Sequence, residues 1–308
     1  MDPKTEPSTS GEFAHIEWMR RRLAATAAVE LGLGDDCAIL RAPARLLVAT
    51  DMLIEGVHFT WAEATPEAVG RKAMNVNLSD IAAMAGDPVA ALVAVGLGPG
   101  APADLAEGLF YGLQKAADRF GAPIIGGDTN RAPQGTVVCV TILGDAGPHG
   151  GVRRSGARPG DSLFVTGALG GSRAGKHLDF TPRLVEAKRL HERYGMTAAI
   201  DLSDGLGGDL FHVCRESRVG AVLFADRIPI SPGLKGDPLA RALGDGEDFE
   251  LLFAVPRDAS ARLEADQPLS DLGVPVSRIG ILTAEPEIWL DSAGVRSPLK
   301  PCGHVHAW

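Results

Sequence analysis

A chain of 308 residues with 45% hydrophobic and 22% charged side chains is a folded protein of one large or two ordinary domains. Its formal charge of −9 excludes a broad surface for nucleic acid or acidic membrane, though not small phosphates carried in with cations. No apolar run nears the roughly 20 residues of a membrane span. The four cysteines are scattered without a C-x-x-C pair, which reads as reduced thiols of a cytoplasmic protein.

In chain order, residues 1–10 read as a polar tail and 13–28 as a helix. Residues 31–37 form a glycine-punctuated turn carrying Asp35 and Asp36, and 46–49 a strand that runs into Thr50-Asp51. From Pro66 a helix places Met74, Leu78, Ile81, Ala82 and Ala85 on one stripe, with Ala73, Val76, Ala83 and Met84 opposite. A helix apolar all round is a buried one, yet it carries Asn77 and Asp80 side by side. A carboxylate there must be neutralised, hydrogen-bonded or coordinating a metal.

A strand over 89–98, a helix over 103–120 and a short strand over 123–125 follow, the last ending in Gly126-Gly127-Asp128. Residues 136–143 are a β-branched strand. The glycine- and proline-dense stretch 145–161 marks the boundary between an N-terminal domain over 11–147 and a C-terminal one over 148–308. Beyond it come strands near 162–166, 198–200, 221–224, 251–255, 278–282 and 288–290, with helices up to 193 and over 205–217 and 259–266. Both halves mix helix and strand, so the expected class is α+β in two lobes.

Asp35, Asp36, Asp51, Asp128, Asp201 and Asp204 all stand at strand ends or glycine turns, where α/β ligand sites gather. Aspartates without His or Cys partners select Mg2+ over zinc, and Mg2+ in turn bridges carboxylates to phosphates. Ser203 stands where the cap of the 205–217 helix is expected, with free N–H groups suited to phosphate oxygens. Gly170-Gly-Ser-Arg-Ala-Gly-Lys-His177 nearly spells a P-loop, but His177 replaces the hydroxyl that would hold Mg2+, so the match reads as accidental. Cys302-x-His304-x-His306 lacks a fourth ligand for zinc, and His15, His149, His191 and His212 read as surface or helix-face residues.

Seven motifs together resemble the thiamine-monophosphate kinase family, part of the superfamily of aminoimidazole ribonucleotide synthetase and selenophosphate synthetase. They are Gly34-Asp-Asp-Cys-Ala38, Thr50-Asp51 with His58-Phe59, Val76-Asn-Leu-Ser-Asp-Ile-Ala-Ala-Met84 and Gly126-Gly-Asp-Thr129. Then come Arg154-Ser-Gly-Ala-Arg-Pro-Gly-Asp161, Ile200-Asp-Leu-Ser-Asp-Gly-Leu206 and Gly246-Glu-Asp-Phe-Glu-Leu-Leu252. The resemblance implies the synthetase-like two-lobed fold, N-terminal lobes pairing in a homodimer, and ATP with Mg2+ in a cleft between lobes. It implies Mg2+ ligands at Asp36, Thr50, Asp51, Asp80, Asp128, Asp201 and Asp204, of which Asp51, Asp80, Asp128 and Asp201 are the catalytic candidates. ATP would meet Tyr111, Gly127, Arg154 and Ser203, and thiamine monophosphate His58, Glu247 and Trp308.

Two departures from the family pattern stand out: a short 176–190 segment, and an ending one residue out of step at Trp308. The apolar strands over 89–98 and 136–143 are the expected dimer seam. The rival readings are another ATP-using superfamily member or a nucleotide-binding sensor without activity. A selenophosphate synthetase would need a reactive N-terminal Cys, and residues 1–11 hold none. A hydrogenase-maturation member would need a terminal Cys, and Cys302 stands six residues short of the end.

Overall fold

The structure, a computed structural model, describes residues 18–23, 26–32, 37–100, 102 and 104–303. It divides into two compact units: residues up to Asn77 with Pro88–Asp145, and Leu78–Asp87 with the chain from Ala146 onward. Among the described residues no helix is long and apolar enough to cross a membrane.

The first unit pairs β1 (Val29–Leu31) with β2 (Ile39–Leu40) and builds a four-stranded sheet. Its strands, β3 (Leu46–Ile54), β4 (Asp87–Leu97), β5 (Ile124–Arg131) and β6 (Val137–Asp145), stand in the order β3-β6-β4-β5. Of the helix expected over 13–28, residues 18–20 are helical and 21–23 already turn. Strands β3 and β5 run further than local sequence implies. Thr50 to Ile54 pair residue by residue with Thr141 to Val137, and Gly126 to Arg131 with Leu92 to Leu97. Cross-strand bonding thus carries each strand through its glycines and aspartates. Asp51 and Asp128 therefore lie within strands, on the two edges of the sheet, and not at strand ends.

Helix α1 (Pro66–Ala83) begins where proline places it, and α2 (Leu105–Phe120) packs on it through glycine. A Cβ on Gly112 would land on the Glu67 carbonyl oxygen, and one on Gly70 on that of Leu109. Backbone meets backbone at this crossing, which no side chain larger than hydrogen permits.

The second unit holds a seven-stranded, mainly antiparallel sheet. Its strands are β7 (Ser162–Thr166), β8 (Ala198–Asp201), β9 (Gly220–Phe224), β10 (Leu251–Val255), β11 (Val276–Thr283), β12 (Ile288–Ser292) and β13 (Val295–Pro298), in the order β13-β12-β9-β11-β7-β10-β8. Every residue of β7 and β10 is buried, because both faces are covered. Leu163, Val165, Leu252 and Ala254 pack under α4 (Leu206–Ser217) and α5 (Pro238–Gly244). Phe164, Leu251, Phe253 and Val255 pack under α3 (Leu184–Tyr194) and α6 (Arg257–Asp266). Strand β13 and helix α5 have no counterpart in the sequence reading, being short and weakly patterned.

Gly112→Ala is expected to destabilise the chain by about 2 kcal/mol or more, the cost of overpacking a rigid contact. Thermal melting of the variant beside Gly32→Ala checks it, since a Cβ on Gly32 would meet only Val29 Cγ1, at an ordinary 3.7 Å, without a positive φ.

Candidate active site

Of the expected site residues, Thr50, Asp51, His58, Tyr111, Gly127 and Asp128 belong to the first unit, and Asp80, Arg154, Asp201, Ser203, Asp204 and Glu247 to the second. Asp36 and Trp308 lie outside the described residues, as do His304 and His306. Among the described residues no three carboxylate, imidazole or thiol groups converge as one cluster able to hold an ion.

In the first unit Asn77, fully buried, accepts the Asp51 N–H at 3.0 Å and donates to the Ala73 carbonyl at 2.9 Å. The buried helix amide thus serves to fix the backbone of β3. The Thr50 hydroxyl is spent on β6, donating to the Val140 carbonyl at 3.1 Å and meeting the Thr141 hydroxyl at 3.0 Å. By strand alternation it faces away from the Asp51 side chain. His58 Nδ1 accepts the Ile54 N–H at 3.0 Å, so the ring carries its proton on Nε2. The buried Lys72 ammonium donates to the His58 carbonyl at 2.9 Å. Tyr111 packs edge-on against Trp18, with ring centroids 5.4 Å apart. A Cβ on Gly127 would strike the Val93 carbonyl, so glycine is required there by the strand pairing itself. Asp128 accepts from Asn130 Nδ2 at 2.7 Å.

In the second unit β8 ends at Asp201, whose Oδ2 accepts from the buried Ser79 hydroxyl at 2.7 Å. That bond ties the end of α1 to the Asp201 turn. Ser203 does not cap α4. The N–H groups of Asp204 and Gly205 are taken instead by Asp209, at 3.1 Å each, from inside the first helical turn. Burial, with Asp201 and Asp204 close by, pushes the Asp209 carboxyl up to about 8. Asp209 was missed in sequence; its signal was an acid four residues beyond Gly205, where a carboxylate can reach back over the turn. Arg154 is exposed and its carbonyl accepts from the Ser217 hydroxyl at 2.9 Å.

The 246–250 segment lies against this turn. Glu247 N–H donates to the Ser203 carbonyl at 2.7 Å, and Phe249 N–H to that of Leu202 at 2.8 Å. Gly246, Glu247 and Phe249 all have positive φ, of 71°, 56° and 48°. Two non-glycine residues in that region amount to stored strain, and something must hold them. What holds them is the loop that resembles a P-loop. Gly170 N–H donates to Asp248 at 3.0 Å and Gly171 N–H to Asp245 at 2.8 Å, while the Ser172 hydroxyl also bonds Asp248. Lys176 Nζ donates to Glu250 Oε1 at 2.9 Å, and Arg183 grips both Glu250 oxygens at 2.7 and 2.8 Å. His177 Nδ1 stands 3.2 Å from Glu247 Oε2. The donors of this loop serve four carboxylates of the chain's own, in two short 3-10 turns and not the helix of a P-loop. Phe180 stacks on Phe249 at 4.1 Å and closes the segment.

Cys302 is half-buried against α4, where a Cβ on Gly207 would overlap its sulfur, and burial raises its thiol. It is part of the packing, not a reactive end.

The family model described as "AIR synthase related protein, N-terminal domain" matches residues 34–146. The thiamine-monophosphate kinase of Rhodopirellula baltica is 36% identical over 312 residues, 96% of this chain and 97% of that one. The chain belongs to the thiamine-monophosphate kinase family. It is accordingly a phosphotransferase. The crystal structure of the kinase from Stenotrophomonas maltophilia superposes with a TM-score of 0.79 at 32% identity, over 92% of this chain and 98% of that one. A structure of AaThiL complexed with AMPPCP and TMP superposes at 0.72 and 27% identity, over 95% of this chain and 96% of the other. The synthetase-like fold expected from the motifs is the fold observed.

Burial alone would raise the Glu250 carboxyl, but the hydrogen bonds and charge of Arg183, with Lys176, outweigh it and hold it below its ordinary 4.5. A lowered acid contributes stability that is present above its unfolded value and is lost as pH falls through the folded one. Arg183→Ala is therefore expected to cost about 3 kcal/mol at neutral pH and to flatten the acid limb of the stability curve below pH 4.5. Lys176→Ala leaves Arg183 in place and should cost less stability, and far less activity than Asp51→Ala. Urea titrations across pH, with turnover beside them, check all three.

Proposed function

We propose that the chain transfers the γ-phosphoryl group of ATP to thiamine monophosphate, giving thiamine diphosphate and ADP. The observation that carries this reading is the backbone bond from Glu247 to Ser203. It ties a carboxylate suited to the thiazolium cation to the acidic turn that suits a metal–phosphate group. AaThiL, similar over nearly the whole chain, is complexed with AMPPCP and TMP.

The donor set fits Mg2+: carboxylates and hydroxyl or carbonyl oxygens, with burial and neighbouring acids already disfavouring negative charge at Asp209. Thr50, Asp51 and Asp128 in the first unit and Asp80, Asp201 and Asp204 in the second would hold several such ions, with Asp36 expected to join them. Thr50 would offer its carbonyl, its hydroxyl being bound to β6. Bound Mg2+ neutralises the phosphate oxygens and draws two polyanions together. The acceptor phosphate has a second pKa near ~6 and is already largely ionised at neutral pH, so the chain need supply no strong base. Its own work is to orient: Tyr111, Gly127, Arg154 and Ser203 toward the nucleotide, and His58 and Glu247 toward the thiamine phosphate. Transfer is direct, without a phosphoenzyme.

The reading includes a homodimer in the cytoplasm. Leu46, Val48, Met52 and Ile54 of β3 leave a row of exposed apolar side chains, joined by Leu92 of β4. Strand β6 alternates between buried and half-buried, and its half-buried Val137, Cys139, Thr141 and Leu143 pair across from that row, so the seam proposed here is the shared face of β3 and β6. Sedimentation at micromolar concentration should give twice the chain mass, and Val48→Asp the single chain; a monomeric wild type overturns the dimer.

Purified chain with MgATP and thiamine monophosphate should give thiamine diphosphate and ADP in equal amounts. Thiamine itself should not react, since its alcohol would need a base. Glu247→Gln should raise KM for thiamine monophosphate more than KM for ATP. ATP binding without any diphosphate would leave a nucleotide sensor as the function.

A further inference from the structure

The end of the 170–178 loop departs from the P-loop it resembles. Where a P-loop would place a hydroxyl, this chain has His177, and its ring is buried with only 10% of the side chain exposed. Nδ1 lies 3.2 Å from Glu247 Oε2, and the Glu247 side chain is 12% exposed. Arg173 Nε faces the same oxygen at 3.6 Å, but half of that side chain is in solvent, where its charge is screened. The imidazole, by contrast, meets the carboxylate at ion-pair distance and largely out of water.

Glu247 needs such a contact. Its backbone is bent into the left-handed region at φ 56°, and its N–H is fixed on Ser203. The main chain is thus anchored at the acidic turn, while a long side chain keeps its rotamers until something takes its carboxylate. We propose that His177 is a positioning residue for substrate recognition, aiming the Glu247 carboxylate at the thiamine portion of the acceptor. The proposal rests on the kinase reading above. It makes the P-loop-like segment a device for holding acids, with Glu247 as the one acid turned to substrate. Asp245, Asp248 and Glu250 serve structure alone.

The test uses the full chain and steady-state kinetics in both substrates, with thermal melting beside them. His177→Leu should raise KM for thiamine monophosphate about tenfold, the worth of one close polar contact held out of water, with KM for ATP moved by less than about twofold. His177→Asn, whose amide nitrogen stands where Nδ1 stood, should recover most of that loss. His177→Gln, whose amide reaches the Nε2 position instead, should not, and it replaces His177→Leu if that variant fails to fold. The double variant of His177→Leu with Glu247→Gln should be no worse than Glu247→Gln alone, since both remove one interaction. Unchanged KM for thiamine monophosphate, equal rises for both substrates, additive losses, or failure of His177→Asn to rescue each overturns the proposal while the kinase reading stands. Wild-type chain that makes no diphosphate overturns both.

Discussion

The buried Glu250 carboxylate and the two cations on it are what the second unit depends on. A lone carboxylate at 1% exposure just ahead of β10 would cost several kcal/mol, and the Arg183 fork removes that cost only by occupying both oxygens. Thr166, the last residue of β7, adds its hydroxyl at 2.7 Å, so one acid joins the end of a strand, a helix start and a glycine loop. From that anchor the chain turns back through the left-handed Phe249 and Glu247, and the acidic turn after β8 is braced by their amides. Remove the anchor, and strained residues have no reason to stay strained.

The first unit rests on a different constraint, the closeness of two backbones. Gly70 and Gly112 let α1 and α2 approach until carbonyl oxygens fill the space of a methyl group. That closeness helps make α1 the buried helix its pattern announces, with Lys72 and Asn77 satisfied internally. A polar residue in such a place is a connector: Asn77 holds β3 where Asp51 stands.

Elements bounded by their own residues were legible in sequence. The helix opening at Pro66, the strand Ser162–Thr166 and the strand Leu251–Val255 are where propensity and punctuation put them. Elements that continue because a neighbour pairs with them were not. β5 runs through two glycines and an aspartate that read as a turn, and β3 runs past Thr50-Asp51. The acidic character of the site was readable; its wiring was not. Ser203 looked like a cap, yet Asp209 does the capping, because a carboxylate inside the first turn reaches two amides at once. The P-loop match was rightly set aside for lacking a hydroxyl. What replaces it, basic and amide donors meeting Asp245 to Glu250, depends on partners some 70 residues apart in sequence.

The filled loop also bears on how the protein meets its solution. Exposed charges feel salt within a Debye length of about 8 Å at physiological ionic strength, while buried pairs are screened much less. Arg173 at the rim therefore loosens as salt rises, and Glu250 with Arg183 does not. Inorganic phosphate has no vacancy to enter at Gly170 and Gly171, since displacing Asp248 and Asp245 would mean unmaking the fold. A glycine loop of this spelling is indifferent to the anion it is named for.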